Sequence, residues 1–428
     1  MSIVTENPRG SCVLGGINST LSAVNKFCPI FHSGPGCGLQ TSAGEAGQAG
    51  LKSPHFLSSV SLPCSLMLER EVVFGGIEKL TDTIRGSIDI IDADAYFILN
   101  GCTSGIIGDD TETVAKGFRA EGFPVYNIPT PGFAGDSNLG YETTISTFLS
   151  QLVEPGRPRQ ANLINLLGIF PYHDPYWAGT FEELVRIFSK LGLEVNTFFS
   201  HGQGIEHIKN AGAAALNVIV NPWLLQGEAR KFEKRFGVPS LRFPGLPVGA
   251  TDTTRLVRQV ADALAIDGKL VEDVIYEEES YVYNYYETAI GALSWKKFAV
   301  IGDANVAIGM THALANDLGF TPVVTVVTEP VSREADKAAI RDRIQDLEYV
   351  KGPDVVFATD NYDVGRALDE YNDVSLFVGS SLEREIAFNR DAQIFVAAYP
   401  ITDQLILNRT YSGYRGAITL VEDLFNNL

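Results

Sequence analysis

Three cysteines stand in glycine-rich surroundings whose residue types and spacing could do chemistry. Cys12 lies in Gly10-Ser11-Cys12-Val13-Leu14-Gly15-Gly16. Cys37 lies in His32-Ser33-Gly34-Pro35-Gly36-Cys37-Gly38, and Cys102 in Asn100-Gly101-Cys102-Thr103-Ser104-Gly105. The spacings are 25 and 65 residues, and no Cys-x-x-Cys pair occurs. That pattern argues against a zinc ribbon, a ferredoxin-type run and a thioredoxin motif. Glycine and proline at this density predict tight loops presenting each thiol. Such loops let backbone N–H groups approach a bulky group on sulfur, so the residues suit a cluster. A cysteine is also a common small buried hydrophobe, and the residues alone leave both readings open. Cys28, between Phe27 and Pro29, reads as buried, and Cys64, in Leu62-Pro63-Cys64-Ser65, as structural.

Other motifs carry less. The six histidines form no His-Glu-x-x-His pair, and only His32 lies near a candidate thiol. Gly302-Asp303-Ala304-Asn305 lacks the full G-x-G-x-x-G and reads as a structural strand–helix turn. No Walker A sequence follows Gly108-Asp109-Asp110. Glu277-Glu278-Glu279 with Tyr281, Tyr283, Tyr285 and Tyr286 reads as a solvated helix face with interface tyrosines.

The elements that must position the thiols are those of an α/β protein. Pro29–His32 and Ala95–Asn100 are apolar strands running into the loops of Cys37 and Cys102. Open parallel sheets place their sites beyond such strand ends. Three domains are expected: 1–155 with every cysteine, 160–292 after the linker Pro155-Gly156-Arg157-Pro158-Arg159, and 297–428 with a C-terminal amphipathic helix. Apolar runs alternate with helical patterns throughout, which predicts doubly wound, Rossmann-like parallel sheets. Net charge is −19, from 33 basic and 52 acidic residues, which speaks against nucleic acid or an anionic membrane as partner and suits one with a basic docking face. No run of apolar residues is long enough to span a bilayer, and no secretory signal is expected. Five cysteines, all in the first quarter, point to reduced cytoplasmic chemistry rather than to a disulfide frame.

Together these residues resemble the nitrogenase component 1 family. His32-Ser33-Gly34-Pro35-Gly36-Cys37-Gly38 is similar to its His-Gly-x-x-Gly-Cys loop, and Glu71-Val72-Val73-Phe74-Gly75-Gly76 to its Val-Phe-Gly-Gly element. Cys102 with Ile106-Ile107-Gly108-Asp109-Asp110 resembles its Cys-x-x-x-(Ile/Val)-Ile-Gly-Asp-Asp segment. Thr130-Pro131-Gly132-Phe133 resembles its Thr-Pro-Ser-Phe, and Tyr411-Ser412-Gly413-Tyr414-Arg415-Gly416 its C-terminal Gly-Tyr-x-Gly. The resemblance implies three α/β domains and a bridging iron–sulfur cluster at a subunit interface. Cys12, Cys37 and Cys102 would hold half of a P-cluster-type group, [8Fe-7S] or paired [4Fe-4S], with Gly36, Gly101 and Gly132 letting backbone approach it. A four-iron cluster wants four protein ligands, so three thiols imply completion by a homologous partner.

Departures from the family pattern select the branch. The catalytic α-type subunit carries a later cysteine and histidine for its cofactor. Here no cysteine follows Cys102 and no histidine follows His312. The resemblance therefore implies a β-type (K-type) subunit with no catalytic residue of its own. Its partners would be an α-type (D-type) subunit holding a metal cofactor, in an α2β2 heterotetramer, and an ATP-hydrolysing iron protein. Gly132 replaces a serine that can ligate the cluster on oxidation. The shorter chain, Cys64 before the Val-Phe-Gly-Gly element, and Gly379-Ser380-Ser381-Leu382-Glu383-Arg384-Glu385 favour a nitrogenase-like methylthio-alkane reductase. A dinitrogen-reducing β subunit and a cofactor-maturation scaffold are the alternatives.

Overall fold

The computed structural model describes residues 9–39, 41, 62–129, 131–289 and 296–427; residues 1–8, 40 and 42–61 of the expected first domain, the end of the expected second at 290–292 and Thr130 of the Thr-Pro-Gly-Phe motif lie outside the described residues. Its strands form three sheets, and every strand pair in them is parallel. Each sheet draws its strands from one stretch of chain.

The first sheet is β1 (Phe27–His32), β2 (Ala95–Asn100) and β3 (Val125–Ile128), in that order. β1 and β2 are buried along their whole length, as near-continuous apolar strands covered on both faces must be. Their register pairs His32 with Asn100, so both strands end at one level. The second sheet contains β4 (Gln160–Leu167), β5 (Glu194–Asn196), β6 (Ala214–Ile219) and β7 (Ser240–Arg242), ordered β5-β4-β6-β7. The third contains β8 (Lys297–Gly302), β9 (Thr321–Val327), β10 (Asp354–Phe357), β11 (Leu376–Gly379) and β12 (Gln393–Val396), ordered β10-β9-β8-β11-β12. The order reverses between β8 and β11, as in a doubly wound sheet. The expected fold class is the observed one.

Helices cover the sheets. Those at Val13–Ser22 and Ser137–Thr147 cross so closely that two positions accept only glycine. A Cβ at Gly16 would meet the Ser137 carbonyl oxygen at 2.0 Å, and one at Gly140 the Val13 oxygen at 2.3 Å. One large apolar cluster runs from Val13 to Leu424 and touches all three sheets, and three smaller clusters pack beside it. The acidic-aromatic run lies in the helix Gly268–Ala289, where Tyr281, Tyr283 and Tyr285 are exposed and Tyr286 is buried.

Candidate functional site

The loops expected around the thiols are helix starts. Cys12 is the N-cap of the helix Val13–Ser22. Cys102 is the first residue of the helix Cys102–Ile107, with Gly101 as its N-cap. Cys37 lies in a helical turn over 35–39. Proline at the first helical position is pre-organised for that conformation and lacks an N–H that would be unsatisfied there anyway. Pro35 therefore begins a turn that composition alone assigns to loop. The consequence is chemical. Helix N-termini carry unpaired N–H groups and partial positive charge, which favour a thiolate over a thiol.

The framework beneath the thiols is tightly specified. Ser11 and Cys12 run antiparallel to Asp136. The Gly101 N–H donates to the His32 carbonyl at 3.0 Å, and the Ser104 hydroxyl donates to the same oxygen at 2.8 Å. These bonds lock the Cys102 helix against the start of the Cys37 loop. A Cβ at Gly101 would meet Ser33 Cβ at 2.4 Å, so this glycine serves the packing of the two loops. Gly36 faces open space. At Gly132 the missing side chain faces sulfur: a Cβ would lie 3.1 Å from Cys102 Sγ and 3.5 Å from Cys12 Sγ. The structure thus brings Cys12, Cys102 and Gly132 together.

Cys37 is near enough to feel the other thiols. Burial raises its thiol pKa, a hydrogen bond with Ser33 lowers it, and Cys102, Cys12 and Cys64 raise it further. Cys12 is exposed, whereas Cys37 and Cys102 are half-buried. Cys28 is fully buried, and burial pushes its thiol up to about 12, in keeping with a core residue. Cys64 sits at the base of the Cys37 loop, its Sγ 3.5 Å from the Ser33 carbonyl oxygen, and accepts from the Leu66 N–H at 3.4 Å.

Composition did not single out the brace around His32. Its Nδ1 is 2.9 Å from Ser65 Oγ and its Nε2 2.8 Å from Asp109 Oδ2. Asp109 also accepts from the Gly76 N–H at 3.0 Å. The Val-Phe-Gly-Gly and Ile-Ile-Gly-Asp-Asp stretches therefore meet on one imidazole. The signal was present in the sequence as motifs, without their contact.

Around the thiols the surface is apolar. The helix Glu69–Phe74 has no buried residue and exposes Val73 and Phe74. It packs on the helix Cys102–Ile107, which exposes Ile106, and Phe133 stands exposed beside Gly105. Leu39, two residues beyond Cys37, is 70% exposed. Large exposed apolar side chains gathered on neighbouring elements mark a site of protein association.

An iron–sulfur group fits these residues. The donor set is cysteine sulfur, helix N-termini are presented to it, and Gly132 brings backbone without a side chain close against two of the sulfurs. Among the described residues, no three His, Cys, Asp or Glu side chains are placed to hold a single metal ion within this chain.

Open parallel sheets with Cys37 and Cys102 just beyond strand ends define an α/β protein of the class that places its sites beyond the carboxyl ends of strands. A family model described as nitrogenase component 1 type oxidoreductase matches residues 12–428, and the chain belongs to that family of iron–sulfur oxidoreductases. It is 24% identical to a nitrogenase molybdenum-iron protein beta chain of Methanococcus maripaludis, over 99% of this chain and 94% of that one. It is 27% identical to the nitrogenase iron-molybdenum cofactor biosynthesis protein NifE of Clostridium pasteurianum, over 73% of this chain and 67% of that protein. The fold matches that of a solved structure, nitrogenase Cp1 at pH 5, with a TM-score of 0.78 at 19% identity over 100% of this chain and 91% of the other. No helix among the described residues is long and apolar enough to cross a membrane.

Proposed function

We propose that this chain is the β-type electron-relay subunit of a nitrogenase-like reductase, with domains 1–155, 160–292 and 297–428. Cys12, Cys37 and Cys102 hold half of a P-cluster-type group, and a homologous α-type subunit holds the other half. The observation that carries this reading is the incomplete thiol set inside an exposed apolar surface: the helix Glu69–Phe74 buries none of its residues within this chain. A partner seated there would cover the apolar side chains and complete the ligand set in one step. When bound, the iron–sulfur group supplies one-electron transfer. The chain's own residues present cysteine sulfurs at helix starts, keep the Gly132 backbone free of a side chain beside two of them, and hold the Cys37 and Cys102 segments together through the His32 carbonyl. Backbone N–H groups directed at sulfur raise a reduction potential.

The relay serves reductive C–S cleavage of a methylthio-alkane at a cofactor in the partner subunit, with electrons from an ATP-hydrolysing iron protein. The absence of any cysteine after Cys102 supports placing the substrate site in the partner. The test uses the complex purified without oxygen, with its partner and an iron protein. Supplied with ATP, reductant and 2-(methylthio)ethanol, it should release ethylene and methanethiol. Cys37→Ala should lose iron and activity together; retained iron with retained activity would overturn the assignment.

The similarity to a cofactor biosynthesis protein supports a second reading, a maturation scaffold. A complex that contains iron and sulfide, turns over neither thioether nor dinitrogen, and transfers a preformed cofactor to an apo-reductase would establish it.

A further inference from the structure

Cys12 and Cys102 come from distant parts of the chain, yet one short segment, 131–137, brings their sulfurs to the same point. The segment is seated on both sides. On one side the Val13 N–H donates to the Gly135 carbonyl at 3.1 Å and the Ser137 N–H to the Ser11 carbonyl at 3.0 Å, so both neighbours of Cys12 are bonded to it. On the other side Pro131 lies against the Cys102 helix, where a Cβ at Gly105 would meet Pro131 Cβ at 2.6 Å. Gly132 sits between. The position its Cβ would take is 3.1 Å from Cys102 Sγ and 3.5 Å from Cys12 Sγ. Two sulfurs thus share one contact point, and Gly132 puts no side chain between them.

The two thiols differ in access. Cys12 is exposed and Cys102 is half-buried. An accessible thiol beside a second one that can resolve its oxidation product is the arrangement of a redox-responsive pair. The remaining cysteines outside the proposed ligand set do not compete. Cys64 Sγ is turned to the Ser33 carbonyl at 3.5 Å, and Cys28 is fully buried in the core.

We propose that Cys12 and Cys102 form a reversible disulfide in the chain before it takes up iron, with a low-molecular-weight disulfide as oxidant. The step is thiol–disulfide exchange. Cys12, as thiolate, attacks the small disulfide, which forms a mixed disulfide and releases one small thiol. Cys102, as thiolate, then attacks Cys12 Sγ; the Cys12–Cys102 bond forms and the second small thiol leaves. Two electrons pass from the protein to the small disulfide, and the two protein thiol protons end on the released thiols. A dithiol reductant reverses both steps. The bond takes both sulfurs out of use as metal ligands, because the ligand is a thiolate, and it shields them from irreversible oxidation to sulfinic acid. The disulfide rests on geometry, and its effect on iron uptake rests on the cluster assignment proposed for these thiols.

The experiment uses the full-length chain, stripped of iron by chelation, reduced, and then exposed to glutathione disulfide. Free thiols are blocked with N-ethylmaleimide, and the unreduced protein is digested for mass spectrometry. The expected result is a peptide pair joining Cys12 to Cys102, with Cys37 and Cys64 alkylated. Offered a preformed cluster by an iron–sulfur carrier protein, with the partner subunit present and no added thiol, the oxidised chain should take up less iron than the reduced chain by about tenfold or more. Dithiothreitol should restore uptake. Cys102→Ser should leave Cys12 as a lasting mixed disulfide with glutathione. Gly132→Val, which puts a side chain between the sulfurs, should do the same with both thiols present. A bond from either residue to Cys37, or a mixed disulfide that persists on Cys12 of the parent chain, would overturn the proposal. So would undiminished iron uptake by the disulfide-bonded chain. No iron uptake by the reduced chain, with the bond still forming on oxidation, would instead remove the cluster assignment and leave the disulfide standing.

Discussion

His32 Nε2 lies 2.8 Å from Asp109 Oδ2, and through that contact the strand leading to Cys37 is tied to the segment following the Cys102 helix. Both side chains are almost fully buried, and burial holds the imidazole pKa below its ordinary value despite the carboxylate beside it. Gly76 makes the arrangement possible. A Cβ there would stand 2.7 Å from His32 Cε1 and 2.9 Å from Asp109 Oδ2. Neither ring nor carboxylate can move without losing its partner, so Gly76→Ala should cost about 1–3 kcal/mol, the usual range for overpacking. Chemical denaturation of the variant checks the magnitude. Iron content measured in parallel should fall with it, because the brace sets the relative position of two proposed ligand segments.

The five thiols should separate by reactivity. Alkylation needs thiolate and access. Cys12 is exposed at a helix N-terminus, whereas Cys28 is fully buried with its thiol pushed up to about 12. In iron-free protein under native conditions, iodoacetamide should modify Cys12 first and Cys37 more slowly, since burial raises the Cys37 thiol pKa. Cys28 should react only after denaturation. Peptide mass spectrometry of a labelling time course reads the order, and early modification of Cys28 would contradict its core position.

How far the sequence disclosed this arrangement depends on the range of the forces involved. β2 was readable in full as Ala95–Asn100 because a fully buried parallel strand is a short apolar run. β7, three residues long and only half-buried, carries no such run and went unread. The thiols were legible as candidates, but their placement at helix starts was not: glycine and proline report backbone freedom, and whether Pro35 opens a helical turn is settled by what packs around it. The Gly379–Glu385 stretch looked like a family departure. In the fold Glu383 accepts from the Ser380 N–H and hydroxyl, both at 2.7 Å, and pairs with Arg9. No local pattern links positions that far apart. Asp303, taken for a turn residue, caps a helix and lines, with Asp174 and Glu329, a cavity beyond the strand ends that was unreadable for the same reason.

That Arg9–Glu383 pair makes a quantitative prediction. Both groups are buried, and Arg9 also donates to Asn361 Oδ1 at 3.0 Å. Removing one partner of a buried pair leaves a charge without compensation, at a cost of about 3–5 kcal/mol. Arg9→Met should therefore destabilise strongly. The double variant Arg9→Met with Glu383→Gln should recover much of the loss, because no net charge is then left buried. Equilibrium unfolding of the two variants against the parent measures the coupling; additive losses would mean that the pair does not act as a unit.

Glu329 and Asp174, buried beyond the strand ends, each contribute a stability that falls as pH rises. Burial, reinforced by the charge of Asp303, lifts Glu329 from an ordinary 4.5 to about 8, and burial lifts Asp174 to about 7. A carboxyl whose pKa is higher in the folded than in the unfolded chain favours folding when protonated. Its contribution is complete below the unfolded value and is lost as pH rises through the folded one. For Glu329 that window runs from 4.5 to about 8. Melting temperatures of parent and variant, compared at each pH, isolate that contribution from the other titrating groups. Glu329→Gln, which keeps the shape and removes the titration, should match the parent near pH 4.5 and exceed it by a growing margin up to about pH 8, beyond which the margin should level off. Parallel curves for parent and variant would mean that Glu329 does not change protonation in this range.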